Sequence, residues 1–596
     1  MATSRRTRNV RGTVAALSVS ALALSACGGN GGAEADEDLP DDVGELDGEA
    51  LEELENVEDV ISDYPREETV FTSGHQWGPP SSWNPIAPGE ATGVNGLLYE
   101  TLFFFDPDEL ELEPWLAESG DWVEDDVYEL TLREGATWTD GEALDAEDVV
   151  FTFELGHHEE VPWSNLWTWL DSAEAVDDHT VRFEFSETRY QAWDNTLYTV
   201  HIVPEHIISE WDEEEYMSHQ NEDPVGSGAF QYSTHAQDRM VWERNEDWWG
   251  TDALGMDFAM EYVVDIVNPS NEVALGLLLQ GGLDLSNNFL PGVNTLADSG
   301  QVHTYYEEEP YMIASNPTLL FPNLEREPMD DADFRRALAL AIDTERIVEG
   351  AYGGIVEAAH PSGLLPVYGE YWDEDVVDEH GFSFDTSAAE QILEDAGYED
   401  TDGDGFVETP DGEAIELSLI VPSGWTDWME AARVIADGAQ EAGINVVADF
   451  PDAGALDDAR HSGDFDLLLN NDSGLSNTPY TFYDYVFRQP IQDQMRNGNF
   501  GRLDDEDAWE AVQELARTDS EDPAFAETLS ELQEMQMSQL HVIPLWYNGL
   551  WAQSSTSVWG NWPSDSPDTP DHFPSTWGGN WEMGGLHTLA DLEPAE

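Results

Sequence analysis

Apolar and polar side chains alternate along residues 128–132 and 178–185, the period-two signature of strands that bury one face. Residues 70–72 read as a further strand, and the nearly unbroken apolar run at 465–470 as a buried one. Elsewhere the period lengthens. Phe334, Ala337, Leu338, Ala341 and Ile342 fall at i, i+3, i+4, i+7 and i+8, which predicts one helix capped by the acidic stretch 330–333 and ended by Gly350. Trp428, Ala431, Ile435, Ala439 and Ala442 form a comparable stripe, set between a strand ending near 421 and one entered at 443–446. Asp145 offers an N-cap, Glu147 and Asp148 put negative charge in the first turn, and Val149, Val150 and Phe153 share an apolar face. Strand–helix–strand units of this kind predict an α/β fold.

With 596 residues the chain exceeds one ordinary core, so two or three structural units are expected. The charge changes the picture more than the length does. Acidic residues number 127 against 20 basic ones, all of them arginine, for a formal net charge of -107. Self-repulsion on that scale opposes a compact state unless salt screens it, which points to a protein adapted to concentrated salt. The same charge excludes nucleic acid and anionic membrane surfaces as partners. A chain without lysine has no P-loop lysine, Schiff-base lysine or pyridoxal phosphate anchor. The single cysteine, Cys27, excludes intrachain disulfides and cysteine-rich metal sites.

Cys27 has a different setting. Arg5, Arg6, Arg8 and Arg11 precede an apolar run over 13–26, the pattern of an export signal that is too short to span a membrane. Leu24-Ser25-Ala26-Cys27 resembles the lipobox at which prokaryotic lipoproteins are cleaved and diacylated. Residues 1–26 are therefore read as a signal peptide, with general secretory and twin-arginine export both open. Residues 27–64 then form an acidic, lipid-anchored tether with a short helix at 51–61, which fixes the protein to the outer face of the cell membrane.

Candidate ligand contacts sit in loops. Trp77 and Trp83 lie in a turn-rich loop after the first strand. Trp425, Asp427 and Trp428 lie at the carboxyl end of a strand, where open α/β lobes present ligands. Asn287 and Asn288 follow a short strand, and Asn470, Asn471 and Asp472 end the buried run at 465–470. Residues 400–405 have the spacing of the first half of a calcium loop, but Asp411 stands where the bidentate glutamate belongs. No metal or cofactor is assigned, and no catalytic constellation stands out among so many carboxylates.

Strings at 99–102, 113–119, 128–133, 138–141 and 145–151 together closely resemble a signature of the family 5 extracytoplasmic solute-binding proteins. These are receptors for oligopeptides, dipeptides, nickel and some oligosaccharides that serve ABC importers. Further similar strings are the glycine turn at 224–232, the asparagine hairpin at 243–250, the loop and strand at 281–285, the helix at 335–343 and the segment 541–545. The resemblance spans about 69–550 and implies a two-lobed periplasmic-binding-protein-like fold of the class II type, with an additional subdomain and a ligand cleft between lobes. Lobe I is expected at 65–98 with 225–315 and 545–596, the additional subdomain at 99–224, and lobe II at 316–544. It also implies a monomeric receptor rather than an enzyme, delivering its ligand to a membrane-embedded ABC permease and its ATPase. Peptide-binding relatives pair the ligand's α-amine with an aspartate after the matching strand, here Asp472. The strings at 424–428 and 287–292 look similar to the branch that binds cellobiose and other β-linked oligosaccharides, whose rings stack on indoles. Peptide and oligosaccharide stand level on this reading, with a metal chelate third. A secreted glycoside hydrolase, with carboxylates about 5–9.5 Å apart across a cleft, is the enzymatic alternative.

The charge makes the first prediction. The Debye length falls from about 10 Å at 0.1 M salt to about 3 Å at 1 M. The midpoint of thermal unfolding is expected to climb steeply over that range of sodium chloride. A flat profile would show that the excess carboxylates do not strain the fold.

Overall fold

Thr69–Ser73 is the pivot of the first sheet, pairing in parallel with Tyr262–Ile266 on one side and with Leu285–Ser286 on the other. All five of its residues are buried, as expected of a strand covered on both faces. The computed structural model describes residues 63–595 except 88, 108, 109, 269, 307–309, 568, 571 and 575–582. Cys27, the signal peptide and the tether helix expected at 51–61 lie outside the described residues.

Among the described residues the first sheet runs in the order His303–Thr304, Gln553–Ser554, Leu285–Ser286, Thr69–Ser73, Tyr262–Ile266, Arg239–Arg244, Phe230–Ala236. A second sheet runs Val446–Asp449, Leu417–Ile420, Leu467–Asn470, Ala314–Pro322, Ile543–Gly549. Ile543–Gly549 thus pairs with Ala314–Pro322 in the second sheet, and the chain rejoins the first one only at Gln553–Ser554. An antiparallel third sheet of Ala117–Glu124, Val127–Leu132, Thr180–Phe185 and Leu170–Asp177 lies between the first two strands of the first sheet in sequence. The alternation read at 128–132 and 178–185 belongs to adjacent strands here, with Leu130 and Val181 paired and buried.

The expected crossover is present and parallel. Leu417–Ile420 leads through the helix Thr426–Glu441 to Val446–Asp449, and the two strands pair in register. Trp428, Ala431, Ile435 and Ala439 are the helix face buried against the sheet. Asp145 caps the helix Ala146–Glu154 by accepting from the Glu147 amide at 2.9 Å, and Asp148 closes the capping box by accepting from the Asp145 amide at 3.1 Å.

One expected helix is two. The stripe from Phe334 to Ile342 ends its helical run at Leu340, and a second helix, Thr344–Ala351, starts after Asp343. Asp343 accepts from the Arg346 amide at 3.0 Å and so caps a new helix inside what the apolar period reads as one. Ala341 and Ile342 stay buried across the break, and Gly350 lies within the second helix rather than ending the first.

Glu100 ties the third-sheet region to the first sheet. It is fully buried and accepts from three indole N–H groups: Trp115 at 3.0 Å, Trp248 at 3.2 Å and Trp249 at 2.9 Å. Trp248 and Trp249 follow the first-sheet strand Arg239–Arg244, whereas Trp115 follows Glu111–Pro114. Burial pushes the Glu100 carboxyl up to about 7 even though the indoles pull it back. A carboxyl raised in the fold contributes stability that is complete below its ordinary range and is lost as pH rises through about 7. The wild-type chain should therefore lose on the order of 3 kcal/mol relative to E100Q between pH 4.5 and 7. Denaturant unfolding of both proteins across that window tests this, and a constant difference would place Glu100 in the ordinary carboxylate range.

Candidate functional site

The parallel pairings decide where the loops point. Thr69–Ser73, Tyr262–Ile266 and Leu285–Ser286 end on the same edge of the first sheet, and Leu417–Ile420 and Leu467–Asn470 end together in the second. The segments that leave these carboxyl ends line a cavity of about 420 Å³, within the roughly 300–1,000 Å³ usual for small-ligand sites. Gly74 and His75 follow the first strand, Asn271 opens the helix after Tyr262–Ile266, and Asn287 and Asn288 follow Leu285–Ser286. Trp425, Asp427 and Trp428 come from the crossover, and Asn471 and Asp472 from the end of Leu467–Asn470. Gly74 has no substitute here: a Cβ on it would lie 2.7 Å from that of Asn287, and its φ is +152°.

Eight of the ten sequence-predicted contacts line this cavity: Trp77, Asn287, Asn288, Trp425, Asp427, Trp428, Asn471 and Asp472. Trp83 and Asn470 do not. Trp83 is 2% exposed, its ring 4.4 Å from that of His235 and 5.0 Å from that of Tyr232, so it is a packing anchor. Asn470 is buried and accepts from the Asp472 amide at 2.9 Å and from the Tyr485 hydroxyl, which fixes the turn carrying Asp472. The sequence reading missed His75, Asn271, Phe289, Asn316, Asn548 and Trp551. Asn271 had a visible signal, since Ser270 caps its helix by accepting from the Val273 amide at 3.3 Å. Asn316 and Asn548 had none, because only the pairing of their two strands brings them to the cavity.

The indoles form an angular array. The Trp77 and Trp425 rings, one from each sheet's loops, lie 5.3 Å apart, and Trp428 stands perpendicular to Trp425 at 5.0 Å. Trp425 and Trp77 are half-buried and line the cavity, and the buried Trp428 braces Trp425. The same cavity is lined by several amides. Asn287 Nδ2 donates to the Trp551 carbonyl and Asn288 Oδ1 accepts from the Ser286 hydroxyl at 3.3 Å. Asn287 Oδ1, Asn288 Nδ2 and Asn548 Oδ1 are buried and have no hydrogen-bond partner among the described residues. Buried polar atoms of this kind cost free energy unless something pairs them. His75 also lines the cavity and is exposed to solvent.

Asp472 is not a free carboxylate. Arg460, on the helix Ala453–Ser462, donates to it and also to Asp457 at 2.9 Å. The loop at 400–408 stands apart, since none of its residues lines the cavity. Ligand atoms of Asp400, Asp402, Asp404 and Glu408 lie within 4.8 Å of one another, with Glu408 rather than Asp411 completing the group. Asp400 already accepts from the Gly403 and Gly405 amides at 2.6 and 3.0 Å, and Glu408 from the Thr401 amide at 2.7 Å, so these carboxylates serve the loop's own backbone.

The sequence pattern described as bacterial extracellular solute-binding proteins, family 5, middle region, matches residues 111–494. The periplasmic alpha-galactoside-binding protein of Rhizobium meliloti is 25% identical over 505 residues, 70% of each chain. The oligopeptide-binding protein AppA of Bacillus subtilis is 25% identical over 406 residues, 66% of this chain and 71% of its own. A periplasmic oligopeptide-binding protein of a Thermotoga maritima ABC transporter, solved with mannohexaose bound, is 41% identical. It superposes with a TM-score of 0.86 over 89% of this chain and 99% of its own. The AppA structure with a nonapeptide, 21% identical with a TM-score of 0.74 over 89% of this chain and 99% of its own, shares the fold. The chain belongs to family 5 of the bacterial extracellular solute-binding proteins, the non-enzymatic substrate receptors of ABC importers.

Proposed function

We propose that this receptor captures an oligosaccharide. The observation that carries the reading is the pairing of half-buried indoles with side-chain amides along one cavity. Trp77 and Trp425 supply flat apolar surface, while Asn287, Asn288 and Asn548, whose side-chain amides can both donate and accept, line the same cavity. Sugar rings need both, because each hydroxyl donates and accepts around an apolar ring face. A peptide reading needs a carboxylate for the ligand's α-amine, and the candidate, Asp472, is engaged by Arg460. The mannohexaose bound to the Thermotoga maritima protein supports the same ligand class.

The surrounding architecture suits a hinged receptor. The first sheet with its C-terminal return serves as lobe I, the second sheet as lobe II, and the third sheet, within 99–224, as the additional subdomain. The receptor works as a monomer, tethered to the membrane through a lipid on Cys27. Cys27→Ser should release the exported protein into the medium, and retention in the membrane fraction would remove the anchor.

Thermal unfolding in molar salt against mannohexaose, cello-oligosaccharides and short peptides tests the ligand class. A ligand at 100 times its dissociation constant adds about 2.7 kcal/mol of stability. A sugar should raise the midpoint and peptides should not. Trp425→Ala should weaken sugar binding by about 10- to 100-fold, equivalent to about 1.4–2.7 kcal/mol. Asp472→Ala should leave it within about threefold. A shift with peptides alone, abolished by Asp472→Ala, would replace this reading.

A further inference from the structure

The cavity that would hold the sugar has an unbalanced charge. Two carboxylates line it, Asp427 and Asp472, and no arginine does among the described residues. His75 also lines it, but an imidazole carries little positive charge in neutral or mildly alkaline solution. The two carboxylates differ in what faces them. Asp472 is balanced by Arg460, which sits just behind it. Asp427 is 5% exposed, and its named partners are neutral: Asn271 donates to Oδ1 at 2.9 Å, and Tyr352 lies beside it. Burial and then the adjacent carboxylate push the Tyr352 phenol far up its range, so it stays protonated. Burial raises Asp427 itself to about 6, which leaves it ionised in neutral solution.

The position of Asp427 adds to this. It lies in the first turn of the helix Thr426–Glu441, two residues after Trp425, so its carboxylate is fixed next to the proposed stacking surface. Asn271, which holds it, belongs to the helix that follows the first sheet's strand Tyr262–Ile266, and Asp427 follows the second sheet's strand Leu417–Ile420. The hydrogen bond therefore spans the two sheets at the cavity wall, and the side chain cannot swing away from a ligand without breaking it.

We propose that Asp427 is the specificity-determining residue that restricts this receptor to neutral oligosaccharides, accepting from sugar hydroxyls and repelling acidic sugars such as uronates. The inference rests on the oligosaccharide reading above. Like charges brought together in a desolvated site cost several kcal/mol, and rejection by an unfavourable contact is an efficient route to specificity. The net charge of -107 also repels anions, but from a distance. Molar salt screens that repulsion beyond about 3 Å and leaves the contact with Asp427.

The test compares mannohexaose with an oligomannuronate of equal length, which carries a carboxylate on C6 of every ring, by calorimetric titration in 2 M sodium chloride. Wild type should bind the uronate at least about 100-fold more weakly. Asp427→Asn keeps an amide oxygen to accept from Asn271, removes the charge and turns the second acceptor into an N–H donor. It should narrow the gap by about tenfold or more while changing mannohexaose affinity by less than about tenfold. Asp472→Asn should leave the gap unchanged. An equal gap in wild type and Asp427→Asn, with the variant's unfolding midpoint intact, overturns the inference and leaves the oligosaccharide reading standing. A variant that loses both ligands in the same proportion assigns Asp427 a structural role and overturns it too. Binding of peptides but neither sugar by wild type overturns the oligosaccharide reading itself.

Discussion

An ion pair with a fully buried carboxylate, at the head of the first sheet, holds together what the rest of the molecule uses. Asp284 is fully buried just before Leu285–Ser286, accepts from the Phe71 amide at 2.9 Å, and receives both terminal nitrogens of Arg66 at 2.6 and 2.7 Å. Arg66 is thereby stapled ahead of Thr69–Ser73, and the two parallel strands are locked side by side. Removing the partly exposed arginine from such a pair leaves an uncompensated buried carboxylate, which costs far more than the pair contributes over a neutral pair. The register of Thr69–Ser73 in turn fixes Gly74 against Asn287, and with it the side of the cavity that carries His75 and the amides.

How much of this is legible from the residue order varies with distance along the chain. Local rules worked where the deciding contacts are local. The Asp145 cap, the Leu417–Ile420 crossover and the alternating strands of the third sheet all follow from periodicity and capping chemistry within a dozen or two residues. They failed at Asp343, where a side chain that caps a helix interrupts an unbroken apolar stripe. The cavity was legible in proportion to how near its residues lie to a strand's carboxyl end. Trp425, Asp427 and Asn287 meet that condition, whereas Asn316 and Asn548 reach the cavity from within antiparallel strands. Trp83 shows the opposite error, because a tryptophan in a turn-rich loop reads as ligand surface until its cover of Tyr232 and His235 is seen.

Abundant tryptophan and abundant carboxylate are related in this molecule. With little basic side chain to neutralise buried acids, indole N–H groups take over part of that work. Glu100 receives three of them, and Asp148 receives the indole of Trp138 at 3.1 Å. An indole offers one directed donor on a large apolar body, so it satisfies a carboxylate and fills core volume together. In the cavity the same residue type packs ring against ring instead, Trp77 on Trp425 and Trp425 on Trp428.

The late return of the chain to the first sheet sets the mechanics of the whole receptor. Apart from the third sheet and the strand pair within 103–114, strands up to His303–Thr304 lie in the first sheet, those from Ala314–Pro322 to Ile543–Gly549 in the second, and Gln553–Ser554 in the first again. The backbone thus passes between the sheets at two places, and these are tied to each other where the Leu550 amide donates to the Ile313 carbonyl at 2.8 Å. Two adjacent, mutually bonded crossings define an axis. Rotation about it needs only small backbone changes at those crossings, while sliding or twisting of one half against the other would break the bond between them. The hydrogen bond from Asn271 to Asp427 joins the same two halves at the cavity, so a turn that parts them there must break it.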